Sequence, residues 1–187
     1  MKLGLILLFS AIVLNIALIA ILTLFRDRRL ILLAFIGYLL VLLYVVGFVG
    51  RTPGMRGVNF HLPLPFLEAL LRGSYDRFTN RSLLNLIAFI PFGFLLPQVL
   101  FIFSPDLHLK WIHYVLIGFV FSLLIESCQY LFQVGDFELD DLVKNSMGTA
   151  IGAVICLQLF NPAELTEEVK TTEWIAKGEK EYEENKN

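Results

Sequence analysis

Long apolar runs broken by short polar clusters dominate the pattern along this chain. Five runs have about the 20 residues that a helix needs to cross a ~30 Å hydrocarbon core at 1.5 Å per residue. They are Leu3–Phe25, Leu30–Val49, Leu83–Phe103, Trp111–Phe132 and Leu142–Phe160. Charged side chains crowd into residues 26–29, 51–81, 104–110 and 136–144 and into the last 25 residues. A chain that alternates between lipid and water has this layout. The expectation is an all-α membrane protein, a bundle of about five transmembrane helices with a short interfacial helix and a charged C-terminal tail. Only Arg26, Asp27, Arg28 and Arg29 separate the first two runs, so these form a tight helical hairpin. The first run is longer than the apolar stretch of a signal peptide and ends in that charged turn without a small-x-small site, so it reads as a retained span. The fifth begins polar.

Between the second and third runs, Pro53, Gly54, Pro63, Pro65 and Gly73 exclude one long helix. Within this connector, residues 65–72 carry enough large apolar side chains to predict a short helix lying on the membrane interface. After the fifth run, Asn161, Pro162 and Glu164 form a helix-start signal, so the acidic tail is expected to be partly helical. The chain divides into an N-terminal hairpin at 1–50, a membrane domain of three spans plus connector at 51–162, and the tail at 163–187.

Composition agrees with the pattern. Hydrophobic residues make up 57% of the 187, mean hydropathy is +0.71, and 17% are charged, too little polar surface for a soluble domain of this size. Net charge is −2, but the tail alone holds eight Glu against four Lys. All eight Arg precede residue 82 and sit beside apolar spans, which points to lipid phosphates and not to nucleic acid. Cys128 and Cys156 both fall inside predicted spans without metal-ligand spacing and read as packing residues.

Polar residues inside spans are expensive and therefore mark sites. With five spans, the connector and the 133–141 loop share one side of the membrane, while the 26–29 turn, the 104–110 loop and the tail share the other. Asn85 at the start of the third span, Glu126 roughly 9 Å inside the end of the fourth, and Asp140, Asp141 and Asn145 at the start of the fifth all gather near the connector side. That side also holds Arg51, Arg56, Asn59, Arg72, Arg77 and Arg81. Glu126, Gln129 and Gln133 follow i, i+3, i+7, and Asp141, Asn145, Gly148 and Gly152 follow i, i+4, i+7, i+11, each predicting one helix face. Glycines continuing a polar face imply close packing on a neighbouring helix. Pro91, Gly93 and Pro97 interrupt the third span and predict a kinked helix lining a cavity.

Blander roles compete at each position. Asp140 or Asp141 could cap the fifth helix, and Asn85 could serve only an interhelical hydrogen bond. Glu126 resists such a reading, because a carboxylate at that depth must be protonated or matched to a base. His61, His108 and His113 are scattered, so no metal site is assigned. Ser82, Ser122 and Ser127 have no His nearby in sequence to make a nucleophile of them.

A family resemblance rests on the same residues. Asn85, Phe89, Pro91 and Gly93 resemble the Asn-x-x-x-Phe-x-Pro-x-Gly signature of VanZ-like membrane proteins. Glu126 and Gln129 match their Glu-x-x-Gln. The stretch from Phe137 through Asp140, Asp141 and Asn145 to Gly148 is similar to their Phe-Asp-x-Asp-Asp-x-x-x-Asn-x-x-Gly element. Arg56 with Asn59, and Pro65 with Phe66, resemble two shorter elements at a stretched spacing. The matches run in order over about residues 55–155. Asp136 and Glu138 depart from the pattern, standing where many members carry Arg and Asp.

The resemblance implies a multi-pass protein of the bacterial plasma membrane linked to envelope traits, including low-level resistance to the glycopeptide teicoplanin. Three functions follow as expectations. In the first, a polar pocket binds an anionic amphiphile or cell-wall lipid headgroup: Arg56 and Arg81 meet the anion, and Asn59, Asn85, Gln129, Asp140 and Asn145 add hydrogen bonds. Its partners are membrane lipids, lipid-linked cell-wall intermediates or glycopeptides. In the second, the chain is an enzyme with Glu126 as general base and Asp141 beside it, where Mg²⁺ or Ca²⁺ would suit the oxygen ligands better than Zn²⁺. In the third, the polar cluster serves packing in a scaffolding protein. Lys and Arg divide seven to eight between the two sides, so charge alone does not orient the chain. The compact 26–29 turn favours a cytoplasmic turn and tail, with the polar pocket outward.

Overall fold

With no water in the hydrocarbon core, a chain of this pattern must satisfy its backbone polar groups within each segment, and helices do so. The computed structural model describes residues 14, 17, 28–48, 54, 57–61, 68, 71–72, 77–104, 107, 109–160, 171, 174–175 and 178, without the side chains of 45–48 and 77–82. Its elements are α1 (Arg28–Phe48), β1 (Val58–Asn59), α2 (Arg77–Phe103), α3 (Trp111–Leu131), β2 (Phe137–Glu138) and α4 (Leu139–Leu159). Among the described residues, three helical stretches, Leu83–Phe103 within α2 and the whole of α3 and α4, are long and apolar enough to cross a membrane. The second predicted span corresponds to α1. The first, Leu3–Phe25, lies outside the described residues except for Leu14 and Ala17, both helical.

Helix α4 packs most extensively on α2. A β-carbon on Gly148 would overlap the Leu86 carbonyl, and one on Gly152 the Ile90 carbonyl. These two positions let the backbones approach more closely than any side chain permits. Both prolines of the expected kink lie inside α2. The helix is continuous through Pro91 and Pro97, both buried. They free the carbonyls of Ile87 and Gly93, one turn back, and close neighbours make such breaks tolerable. The Phe92 ring stacks on Phe121 of α3 at 4.9 Å and on Phe35 of α1 at 6.0 Å, so one aromatic column ties three helices. The Tyr38 hydroxyl of α1 donates to the Ala88 carbonyl of α2 at 2.5 Å.

The outward faces of α1 and α3 carry Leu33, Ile36, Leu40, Leu116, Val120 and Leu124, all exposed. In water this would be an aggregating surface; against lipid it is the expected one.

The connector does more than the sequence implied. Gln133 takes a positive φ of 55° just beyond α3, and its carbonyl accepts from the Gly54 amide at 2.8 Å. Then β2 pairs in parallel with β1, Val58 opposite Phe137 and Asn59 opposite Glu138, and the Phe137 amide donates to the Gly57 carbonyl at 2.9 Å. The strands are too short to leave a periodic signal. Within the predicted interfacial helix, Glu68, Leu71 and Arg72 are helical and exposed, and Glu68 pairs with Arg72 at 2.6 Å. In the tail, Thr171, Trp174, Ile175 and Gly178 are helical and exposed.

The α2–α4 seam generates a paired test. Gly152→Ala overpacks the seam and is expected to cost about 1–3 kcal/mol, lowering the midpoint of thermal unfolding in detergent. Gly37→Ala in α1, where a β-carbon meets nothing within 4 Å, should leave the midpoint unchanged or raise it, since Ala is the better helix former by ~1 kcal/mol.

Candidate functional site

The end of the bundle beneath the β1–β2 clasp concentrates its buried polar side chains. On α3 they are Ser122, Glu126 and Gln129, spaced i, i+4, i+7 on one face, and on α4 they are Asp140, Asp141, Lys144, Asn145 and Thr149. Asn85 joins them from α2. The α3 stripe thus runs inward to Ser122, not outward to Gln133. The left-handed backbone at Gln133 ends the helix before it and leaves that side chain exposed.

Lys144 organises the α4 half. It is 1% exposed, and its ammonium lies 2.8 Å from Asp140 Oδ2 and 2.9 Å from Asp141 Oδ1. The spacing causes this: residues three and four apart on a helix are neighbours, so a Lys one turn on reaches both carboxylates of the first turn. Charge-assisted bonds of this length offset part of the desolvation of burying the three charges. Neither Asp caps the helix. The N-cap is Glu138, whose side chain makes no capping bond, and its amide donates to Glu126 Oε2 of α3 at 3.1 Å. A fully buried carboxylate of one helix therefore fixes the start of the next.

A second bond joins the same helices: Asn145 Nδ2 donates to Ser122 Oγ at 2.8 Å, both fully buried. The Thr149 hydroxyl turns back to the Asn145 carbonyl at 2.9 Å. Among the described residues, Asn85 Nδ2, Asp140 Oδ1 and Asn145 Oδ1 are buried without a hydrogen-bond partner. Buried polar groups are overwhelmingly paired, so unused capacity of this kind at one place calls for a reason.

Of the residues picked out in sequence, the structure brings Asn85, Glu126, Gln129, Asp140, Asp141 and Asn145 to one end of the bundle, sets Gly93, Gly148 and Gly152 in its α2–α4 seam, and buries Pro91 within α2. Asn59 stands apart, exposed in β1, its Oδ1 accepting from the His61 amide at 3.0 Å. Arg56 and the Arg81 side chain lie outside the described residues. Sequence reasoning passed over Lys144 and Thr149 and weighed Ser122 only as a nucleophile. The i−4 and i−3 positions of Asp140 and Asp141 were the available signal for Lys144; Ser122 could have been found by extending the α3 face inward by one turn.

The donor set fits hydrogen bonding better than metal binding. Asp140 and Asp141 are already bridged by an ammonium, which a divalent cation would have to displace. Among the described residues, no group of three or more His, Cys, Asp or Glu is arranged to hold a metal ion.

The geometry can be set beside known proteins. No curated protein and no solved structure matches the chain. A protein-family model described as VanZ/LLP1 matches residues 35–161, about two thirds of the chain, from within α1 to just past the end of α4. On that extent of match, the chain belongs to the VanZ/LLP1 family.

Proposed function

We propose that this chain is a five-span protein of the bacterial plasma membrane that receives the polar head of a cell-wall amphiphile in the cluster around Lys144 and thereby contributes to teicoplanin tolerance. The observation that carries this reading is the unused hydrogen-bonding capacity of Asn85, Asp140 and Asn145, buried together at one end of the bundle. Three buried carboxylates and two amides offer acceptors and donors to the hydroxyl and amide groups of a sugar head. Arg56 and Arg81, on the same side by parity, meet its anionic linkage. The bonds from Glu126 to the Glu138 amide and from Asn145 to Ser122 also favour a packing role, and the test separates the two.

Lys144 bears on orientation as well. Paired inside the protein, it drops out of the loop-charge count, leaving six basic residues on the connector side against eight on the tail side. By the positive-inside rule this favours a cytoplasmic tail and an outward-facing cluster.

Two outcomes are expected. Asn85→Ala, at wild-type protein level in the membrane, makes cells as susceptible to teicoplanin as cells lacking the gene; unchanged tolerance at normal protein level overturns the reading. In a Cys128→Ser, Cys156→Ala background, an impermeant thiol reagent applied to intact cells labels Phe60→Cys and not Ile175→Cys. Phe60 is a better reporter than Gly57, where a side chain would meet the Asp136 carboxylate at 2.8 Å.

A further inference from the structure

Helix α3 ends in a left-handed bend of the kind that glycine usually fills, and here the bend carries Gln133. Beyond Leu131, the last helical residue, the Gln133 amide donates to the Tyr130 carbonyl at 3.3 Å, and the Val134 amide donates to the Gln129 carbonyl at 3.0 Å. This pair of bonds satisfies two of the carbonyls that a helix end leaves open, and it needs a positive φ at the residue just past the cap. Glycine takes that conformation at no steric cost. Gln133 takes it with φ at 55°, the one non-glycine residue of positive φ among the described residues.

The bend does not use the side chain. Both helix-end bonds are made by backbone amides. The bond that ties the connector to this bend runs to the Gln133 carbonyl, which accepts from the Gly54 amide at 2.8 Å. The side chain is exposed and makes no hydrogen bond among the described residues. Glycine would make the same three bonds and relieve the backbone. A side chain kept in a costly conformation without a partner in the protein points to a partner outside it.

The place of Gln133 in the bundle narrows that partner. Leu131 and Phe132, just before it, are 67% and 74% exposed, as lipid-facing side chains are, and the apolar span ends at Leu131. Gln133 therefore stands where hydrocarbon gives way to headgroups. One and two turns earlier on the same helix, Gln129 and Glu126 belong to the buried polar cluster. A carboxamide both donates and accepts, which suits the polar groups of a lipid head at that depth.

We infer that Gln133 is an outer contact for the amphiphile received by the Lys144 cluster, bonding the part of its head that stays at the membrane surface. The inference rests on the headgroup reading for the identity of the ligand. It adds to that reading a recognition residue at the mouth of the site, one that stability alone would replace with glycine.

Two replacements with different effects on the backbone test it, each in the full-length protein at wild-type level in the membrane. Gln133→Gly removes the amide and the strain together, so its thermal midpoint in detergent should rise by roughly 2–4 °C. Gln133→Met keeps the length and the strain and removes only the amide, so its midpoint should stay at the wild-type value. Both should lower the teicoplanin concentration that stops growth by roughly two- to ten-fold, the scale of one hydrogen bond to a ligand. Wild-type tolerance in either variant overturns the inference. So does a lowered midpoint in Gln133→Gly, which would show that the side chain supports the fold. The Asn85→Ala strain keeps the two readings apart. Tolerance lost there and kept in both Gln133 variants removes the outer contact alone; tolerance kept in all three removes the headgroup reading and the contact with it.

Discussion

A buried ammonium between two buried carboxylates is the constraint around which the polar end of this bundle is arranged. Lys144 lies about 8 Å along α4 from its first residue, 1% exposed, bonded to Asp140 and Asp141. Removing Lys144 leaves two carboxylates uncompensated in a region of low dielectric, where breaking a pair costs far more than the pair contributes. The triad therefore holds α4 to one arrangement of its first two turns. Glu126 then meets the backbone at the start of that helix, and Asn145 reaches Ser122. The clasp of β1 on β2 covers the same end and brings the connector to it.

The rest of the fold supports this end by removing side chains elsewhere. Gly148 and Gly152 allow α4 to approach α2 backbone to backbone, and from the same face Asn145 reaches Ser122 of α3. The aromatic column of Phe35, Phe92 and Phe121 holds α1 and α3 on the other side of α2. Lipid then solvates what is left, the aliphatic outer faces. The division explains how a helix bundle can bury the Lys144, Asp140 and Asp141 triad in a membrane protein: dispersion and close packing supply the cohesion, and the charges are confined to where they meet one another.

Much of this was legible in the sequence, for reasons that differ by element. Apolar run length placed the membrane-crossing stretches of α2, α3 and α4 to within a few residues, because a bilayer imposes one length on every span. The polar faces were legible because helical period is fixed: Glu126 with Gln129, and Asp141 with Asn145 and Gly148, share faces as expected. Helix α2 begins at Arg77, six residues before its apolar run, since a helix can continue into the interface where hydropathy no longer reports on it. Lys144 was hidden for the opposite reason. A Lys near a span end reads as a surface charge, and only the three-dimensional exclusion of water shows that it is not. The β1–β2 clasp depends on contacts between segments distant in sequence, which no local pattern encodes.

The central claim is that Lys144, Asp140 and Asp141 form one matched, buried unit on which the polar site depends. It is tested most directly by comparing equilibrium unfolding of two variants in the same detergent. Lys144→Met alone strands two buried carboxylates and should lose about 3–5 kcal/mol. Lys144→Met combined with Asp140→Asn and Asp141→Asn removes the charges together and should recover most of that loss. A single variant as stable as the wild type, or a triple variant no more stable than the single, would contradict it.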